Sequence, residues 1–187
     1  MAFAETFVVI VMLLMLALYM RQHYGEVEYI RADDNREYLV RNLDDKAAAA
    51  NRLAVTTKDM QTLCQHMMAK YPDNADVQRL YKNFNPDAIS EGSVESGYTS
   101  YSVNKGEKIV LCIRQKDQSF VDHNTLLYVA IHELGHLMTD EIGHTDKFWA
   151  NFRFLLQEAI DINMYKPVDY NEDPKNYCGI KINSSVL

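Results

Sequence analysis

The chain has 187 residues, of which 48% are hydrophobic, and its formal net charge is −7. This length fits one domain, and the apolar share is ordinary for a protein that folds around a core. The sequence contains no cluster of lysines and arginines, so direct binding to DNA or RNA is not expected. The three cysteines, Cys64, Cys112 and Cys178, lie far apart and form no CxxC pair. Their odd number and wide spacing argue against a disulfide framework and favour reduced, packed thiols.

The N-terminal segment is strongly apolar. Fourteen uninterrupted apolar residues run from Phe7 to Met20, and the stretch reaches nineteen residues when it is extended back to Ala2. About 20 residues are needed to cross a bilayer. No basic residue precedes the stretch and no small-x-small cleavage site follows it, which favours a retained transmembrane helix over a signal peptide or a buried soluble helix.

We therefore predict an N-terminal membrane anchor over residues 1–24 and one folded domain over residues 25–187. Arginines follow the apolar stretch closely, whereas no lysine or arginine precedes it. By the positive-inside rule, this asymmetry predicts a single-pass membrane protein whose folded domain lies in the cytoplasm.

The first half of the domain predicts both helices and strands. VEYIRADDNREYLV indicates two short strands around a turn. Helical spacing from about Asp44 to Lys70 indicates a long helix, and ADVQRLYKNF indicates a shorter one. The segment NPDAISEGSVESG is typical of a loop. YTSYSV and KIVLCIR, on either side of NKGE, predict a β-hairpin.

The second half predicts two helices and a short strand. Asn124 is a candidate N-cap for the helix TLLYVAIHELGHLMT, and Thr145 is one for a helix from Asp146 to about Met164. A short final strand is expected at GIKI. Together these elements predict a compact α+β domain behind the anchor.

Residues His132 to His136 form the motif HExxH on a predicted helix. Because four residues make about one helical turn, the two histidines lie on the same side and their nitrogens can converge on one zinc ion. Glu133 lies about 100° around the helix from His132, where it can act as general base on a water that the metal activates. Gly135, in the middle of this helix, indicates the close approach of another backbone.

A catalytic zinc site takes three protein ligands and keeps one position open. His144 follows His136 by eight residues, and Gly143 can turn the chain back towards the helix. Ile142 occupies the position where the metzincin pattern needs its third histidine, so that pattern is excluded. Glu158 is the alternative third ligand, as in thermolysin-like sites.

HELGH followed by GHTDKFW resembles the WLM-type and SprT-like zinc metallopeptidases, and the arrangement is similar to small WLM-like proteins of large DNA viruses. The resemblance covers about Arg36 to Ile162 and implies a zincin-like metallopeptidase domain. Members that cleave DNA-crosslinked proteins usually add a zinc ribbon or a basic surface. Since this chain is acidic, that repair role is not expected.

The resemblance also implies roles for individual residues. The family's aromatic pair falls on Phe148 and Trp149, which we expect to pack rather than to react. Its catalytic glutamate falls on Glu133. Its metal ligands fall on His132, His136 and His144.

The sequence thus predicts a membrane-anchored zinc metallopeptidase that hydrolyses peptide bonds in a protein or peptide substrate, with Zn²⁺ as cofactor. The alternative is a catalytically inactive, membrane-tethered zinc-binding scaffold or virion component, and Glu133 favours the enzyme. Four tyrosines are candidates for stabilising the oxyanion, and the sequence does not rank them. They are Tyr98, Tyr101, Tyr170 and Tyr177.

Overall fold

The computed structural model describes residues 2–92 and 99–187. Its helices are α1 (Ala2–Tyr24), α2 (Lys46–Lys70), α3 (Ala75–Asn83), α4 (His123–Met138) and α5 (Asp146–Asp161). Its strands are β1 (Val27–Arg31), β2 (Glu37–Arg41), β3 (Ile89–Glu91), β4 (Tyr101–Val103), β5 (Lys108–Leu111), β6 (Lys175–Tyr177) and β7 (Ile180–Ile182). A 3₁₀ turn at Pro86–Ala88 precedes β3.

Five strands form a mixed sheet in the order β1-β2-β3-β5-β4. The pairs β1–β2 and β5–β4 are antiparallel, whereas β2–β3 and β3–β5 are parallel. Within residues 2–92 and 99–187, strand β4 therefore ends the sheet, with Tyr101 opposite Val110 and Val103 opposite Lys108. Strands β6 and β7 form a separate antiparallel hairpin.

Helix α4 lies at the centre of the domain and contacts α2, α3 and α5. Its apolar residues recur every three or four positions, so they form one wide stripe that faces these neighbours. Leu127, Ile131, Leu134 and Leu137 are all buried. Each such side chain contributes about 1.5–3 kcal/mol when it leaves water, and the helix that carries HExxH is therefore firmly held.

Most of the predicted elements are confirmed, including the strands β1 and β2, the helices α2 and α3, and the hairpin β4–β5. Helix α4 differs at its start: its N-cap is Asp122, whose carboxylate accepts a hydrogen bond from the Thr125 N–H at 3.0 Å, and not Asn124. Thr145 caps α5 as predicted. That helix ends at Asp161, three residues short of the expected Met164.

Strand β3 lies in a segment for which the sequence predicted only a loop. It is three residues long, all of them buried, and it pairs with β2 on one side and β5 on the other. A strand this short shows no alternation that could be read from the sequence, and the two neighbouring strands are needed to define it.

The predicted transmembrane anchor is not supported. The N-terminal segment does form a helix of 23 residues, Ala2–Tyr24. However, within residues 2–92 and 99–187 no helix is long and apolar enough to cross a membrane.

The prediction of reduced cysteines is wrong for two of the three. Cys112 and Cys178 form a disulfide across a sequence separation of 66 residues, with their Cα atoms 6.3 Å apart. Cys64 is a free, buried thiol. The pair was missed because spacing along the chain says little about which distant cysteines the fold brings together.

Candidate active site

Three histidines from two elements meet at one end of helix α4. The rings of His132 and His136 project from successive turns of the helix, with centroids 5.0 Å apart. Gly143, with a φ of +86°, turns the chain after the helix and returns His144 to it. The Nε2 atoms of His132 and His144 are 3.0 Å apart. The ligand nitrogens of all three lie within 4.8 Å of one another.

This donor set fits a metal ion such as zinc. Two nitrogens bound to one tetrahedral zinc at about 2.0–2.1 Å lie about 3.3 Å from each other, close to the separation of His132 and His144. Burial lowers the pKa of His132 to about 3, with His136 and His144 acting in the same direction. Burial, His144 and Lys105 lower the pKa of His136 to about 4. The lowered pKa values keep both imidazoles neutral, which is the form that coordinates a metal.

Phe148 packs against all three histidine rings, as the aromatic pair was expected to do. Its ring centroid lies 4.8 Å from that of His132, 4.3 Å from that of His136 and 4.7 Å from that of His144. Trp149 stacks on His144 at 5.4 Å. Phe148 is fully buried, so the histidine rings rest on a fixed apolar surface.

The structure explains the glycine at position 135 by the close approach of side chains, and not by the predicted approach of another backbone. A Cβ at this position would lie 3.1 Å from Cε2 of Phe148 and 3.5 Å from Cβ of Phe152. Its neighbours are therefore the side chains of α5, and no backbone atom is among its nearest contacts. The missing side chain lets the phenylalanine that supports the histidines sit directly against α4.

Glu133 is buried beside the histidines, with 4% of its surface exposed. Burial raises the pKa of its carboxyl to about 7, against a smaller lowering by the Ser102 hydroxyl. A carboxylate with a pKa near neutrality can both accept a proton and give it back. A cation bound by the histidines would stabilise the charged form and lower this pKa.

The site opens into a cleft of about 510 Å³. One wall is formed by strand β4 and the turn that follows it, and the other by α4 and the loop that returns His144. Because β4 is the last strand of the sheet in the part of the chain that the structure describes, the cleft runs beside a sheet edge there. The residues that line it are Ser100, Tyr101, Ser102, Asn104, Lys105, His132, Glu133, His136, Ile142, Gly143 and His144.

Lys105 is a site residue that the sequence did not reveal. It lies in the β4–β5 turn, with a φ of +58°, and its ammonium reaches the carboxyl end of α4. There it donates hydrogen bonds to the carbonyls of Thr139 at 2.7 Å and Glu141 at 2.5 Å, and more weakly to that of His136 at 3.4 Å. The sequence predicts the turn itself, but nothing in it shows which helix end the turn faces.

Glu158, the alternative third ligand, contacts residues outside the histidine cluster. Its buried carboxylate accepts hydrogen bonds from Lys70 at 2.8 Å and Tyr71 at 2.6 Å and lies 2.7 Å from Nε2 of His66. Among the residues that the structure describes, the metal-ligating group contains the three histidines and not Glu158.

The four tyrosines that were candidates for stabilising the oxyanion differ in their location. Tyr101 lines the cleft. Tyr170 is buried against Tyr128 and Tyr165. Tyr177 is buried with its hydroxyl 2.6 Å from Ser100 Oγ. Tyr98 lies outside the described residues.

An HExxH helix whose two histidines are joined by a third from beyond a turn, beside a buried glutamate and a sheet edge, defines a class of metallopeptidase-like α+β domains. The family model of the WLM domain matches residues 92–185, which is half of the chain. The chain belongs to the WLM family. The resemblance predicted from the sequence is thereby confirmed, and the domain points to a metallopeptidase-type function.

Relatives of the chain occur in large DNA viruses. It is 34% identical over 169 residues to the uncharacterized protein R325 of Acanthamoeba polyphaga mimivirus, an alignment that covers 87% of this chain and 86% of the relative. It is 36% identical over 97 residues to the uncharacterized protein 136R of Invertebrate iridescent virus 6, covering 50% of this chain and 53% of the relative. A solved structure of a Wss1 mutant from S. pombe aligns with a TM-score of 0.43 at 21% identity, covering 72% of this chain and 99% of that one.

Proposed function

We propose that the chain is a zinc-dependent metallopeptidase that hydrolyses peptide bonds in a protein or peptide substrate. His132, His136 and His144 would hold the metal, and Glu133 would be the general base. The observation that carries this proposal is the buried Glu133 carboxylate beside the histidine cluster, facing a cleft that is open to a substrate.

The three histidines would hold the zinc, which would supply a Lewis acid that polarises a substrate carbonyl and makes water acidic enough to be deprotonated near neutral pH. Glu133 accepts the proton of the attacking water and afterwards gives it to the leaving amine. The Ser102 hydroxyl lines the cleft together with Glu133, lowers the pKa of its carboxyl, and is placed to orient that base.

The edge of the sheet provides a place for the substrate. Strand β4 ends the sheet within the described part of the chain and lies along the cleft. An extended peptide can therefore add to it as a further strand, with its backbone held by hydrogen bonds and its scissile carbonyl near the histidines.

The substitution Glu133→Gln tests the proposal. It keeps the shape of the side chain but removes the group that accepts a proton, so we expect zinc content to stay at the wild-type level. The rate of cleavage of a peptide library should fall by at least about 100-fold, the lower end of what general acid–base catalysis contributes.

Glu141→Gln is the matched control, because Glu141 is an exposed glutamate eight residues further along the same segment. It should leave both zinc content and cleavage unchanged. A wild-type chain that binds zinc but cleaves nothing, or a Glu133→Gln variant with full activity, would contradict the proposed function. The first of these results would favour the zinc-binding scaffold.

A further inference from the structure

The hairpin β6–β7 is fastened to the end of β5 by three links, and we refer to residues 175–182 as the latch. The disulfide joins Cys178 of the latch to Cys112, which directly follows β5. Gln115 adds two hydrogen bonds: its Oε1 accepts from the Cys178 N–H at 3.1 Å, and its Nε2 donates to the Asn176 carbonyl at 2.8 Å. The latch is thus held to the sheet both covalently and by its backbone.

Tyr177 connects the latch to the wall of the cleft. The side chain is 1% exposed, and its hydroxyl lies 2.6 Å from Ser100 Oγ, at hydrogen-bond distance. The same Ser100 oxygen accepts a hydrogen bond from the Cys112 N–H at 2.9 Å. Cys112 is therefore linked to the latch twice, by its sulfur to Cys178 and by its backbone through Ser100 to Tyr177.

This bridge ends beside the general base. Ser100 immediately precedes β4 on the cleft wall, and two residues later Ser102 lines the same cleft as Glu133. Burial raises the pKa of the Tyr177 phenol, and the nearby Glu133 carboxylate acts in the same direction. A set of contacts thus runs from the disulfide through Tyr177 to the β4 wall, which lines the cleft together with Glu133.

We propose that Tyr177 is a positioning residue that holds the β4 wall and Glu133 in register for catalysis, and that the Cys112–Cys178 disulfide keeps Tyr177 in place. This inference rests on the proposed function, because the group that it positions is the proposed general base. A base must sit within a fraction of an ångström of its working position, and a displacement of about 1 Å can cost about 100-fold in rate. The latch would fix the position of the β4 wall, although the latch itself does not line the cleft.

The experiment compares full-length Tyr177→Phe and the double variant Cys112→Ala/Cys178→Ala with the wild type. Tyr165→Phe is the matched control, since Tyr165 is also buried and its hydroxyl lies 3.3 Å from that of Tyr170. For each chain, kcat and KM for a cleaved peptide, zinc content, thermal midpoint and the exchange rate of the Cys112 amide proton are measured.

We expect Tyr177→Phe to lower kcat by about 10-fold, with KM, zinc content and thermal midpoint close to those of Tyr165→Phe. The Cys112 amide should exchange several-fold faster, because its acceptor Ser100 has lost its partner. The double cysteine variant should show the same fall in kcat, and Tyr177→Phe added to it should lower kcat little further, since both changes release the same contact.

A kcat for Tyr177→Phe equal to that of the Tyr165→Phe control would overturn the proposal, as would an unchanged exchange rate of the Cys112 amide. The exchange measurement does not depend on turnover. If the wild type binds zinc and cleaves nothing, the proposed function fails on its own, and the exchange rate alone then decides whether Tyr177 holds the β4 wall.

Discussion

The Nε2 atoms of His132 and His144 lie 3.0 Å apart, although twelve positions and the end of a helix separate the two residues. This distance suits a hydrogen bond between the two rings, and it is also close to the separation of two nitrogens bound to one zinc ion. Together with His136, the two residues form the group whose nitrogens could hold one metal ion, and this group indicates His144 as the third ligand.

Replacing His144 by alanine should remove the third ligand. We expect zinc affinity to fall by more than the roughly 100-fold that the loss of an outer-sphere partner can cost, as measured by competition with a chelating dye. His123→Ala is the matched control, because His123 pairs with Asp59 and lies outside the cluster. Glu158→Gln should also keep its zinc, and loss of the metal in that variant would contradict the ligand set.

A side chain at position 143 should destabilise the chain because of the backbone conformation there, and not because of a steric clash. The φ of Gly143 is +86°, and a Cβ there would meet no atom within 4 Å. Gly143→Ala should therefore lower the free energy of unfolding of the metal-free chain by about 1 kcal/mol through strain in the left-handed region. Gly143→Asn should cost less, because asparagine adopts that region more readily. Equal urea midpoints for Gly143→Ala and the wild type would show that the loop takes another conformation.

Lys105→Met tests whether the β4–β5 turn supports the metal site. The substitution keeps most of the length of the side chain but removes the donors to the carbonyls at the end of α4 and in the loop beyond it. Since this loop returns His144, we expect zinc affinity to fall by roughly 10-fold, as for other outer-sphere changes. Lys108→Met, at an exposed position of β5, is the control and should bind zinc normally. Equal affinities for the two variants would refute the supporting role.

Glu158 should make folding sensitive to acid. Burial alone would raise the pKa of this carboxyl, but hydrogen bonds from Lys70, Tyr71 and His66 outweigh it and lower the pKa from 4.5 to about 2. The native state therefore favours the charged form more than the unfolded state does. The resulting stabilisation is complete above pH 4.5 and is lost as the pH falls towards 2.

Glu158→Gln should accordingly destabilise the chain by about 1–3 kcal/mol at pH 7, measured by urea unfolding. The difference in free energy of unfolding between variant and wild type should shrink at pH 3, because protonation of the wild-type carboxyl then removes part of its stabilising effect. Asp161→Asn, on the exposed side of the same helix, should show no such trend. A difference that is constant from pH 7 to pH 3 would mean that Glu158 contributes through packing and not through its charge.

The parts of the molecule that the sequence predicts are those encoded over short stretches. HELGH and the eight-residue step to His144 lie within one helix and one turn, so helical geometry and a flexible glycine suffice to place the histidines. Strands β4 and β5 likewise follow from alternation around a turn.

The parts that escaped prediction depend on contacts between distant segments. Lys105 reaches α4 across 34 positions of sequence, and Tyr177 reaches Ser100 across 77. The Cys112–Cys178 disulfide and the three-residue strand β3 have the same origin. Each is defined by the packing of the complete fold, which a local pattern does not contain.

The disulfide also closes a covalent ring, because the residues from Cys112 to Cys178 are joined at both ends. His132, His136, His144 and Glu133 all lie within that ring. A single break in the backbone between the two cysteines would leave both pieces attached, with every metal-binding side chain still on one molecule. If a protease cuts the chain inside the ring, the two pieces run as one species on a denaturing gel until a thiol reductant is added, whereas a cut before Cys112 releases a fragment at once.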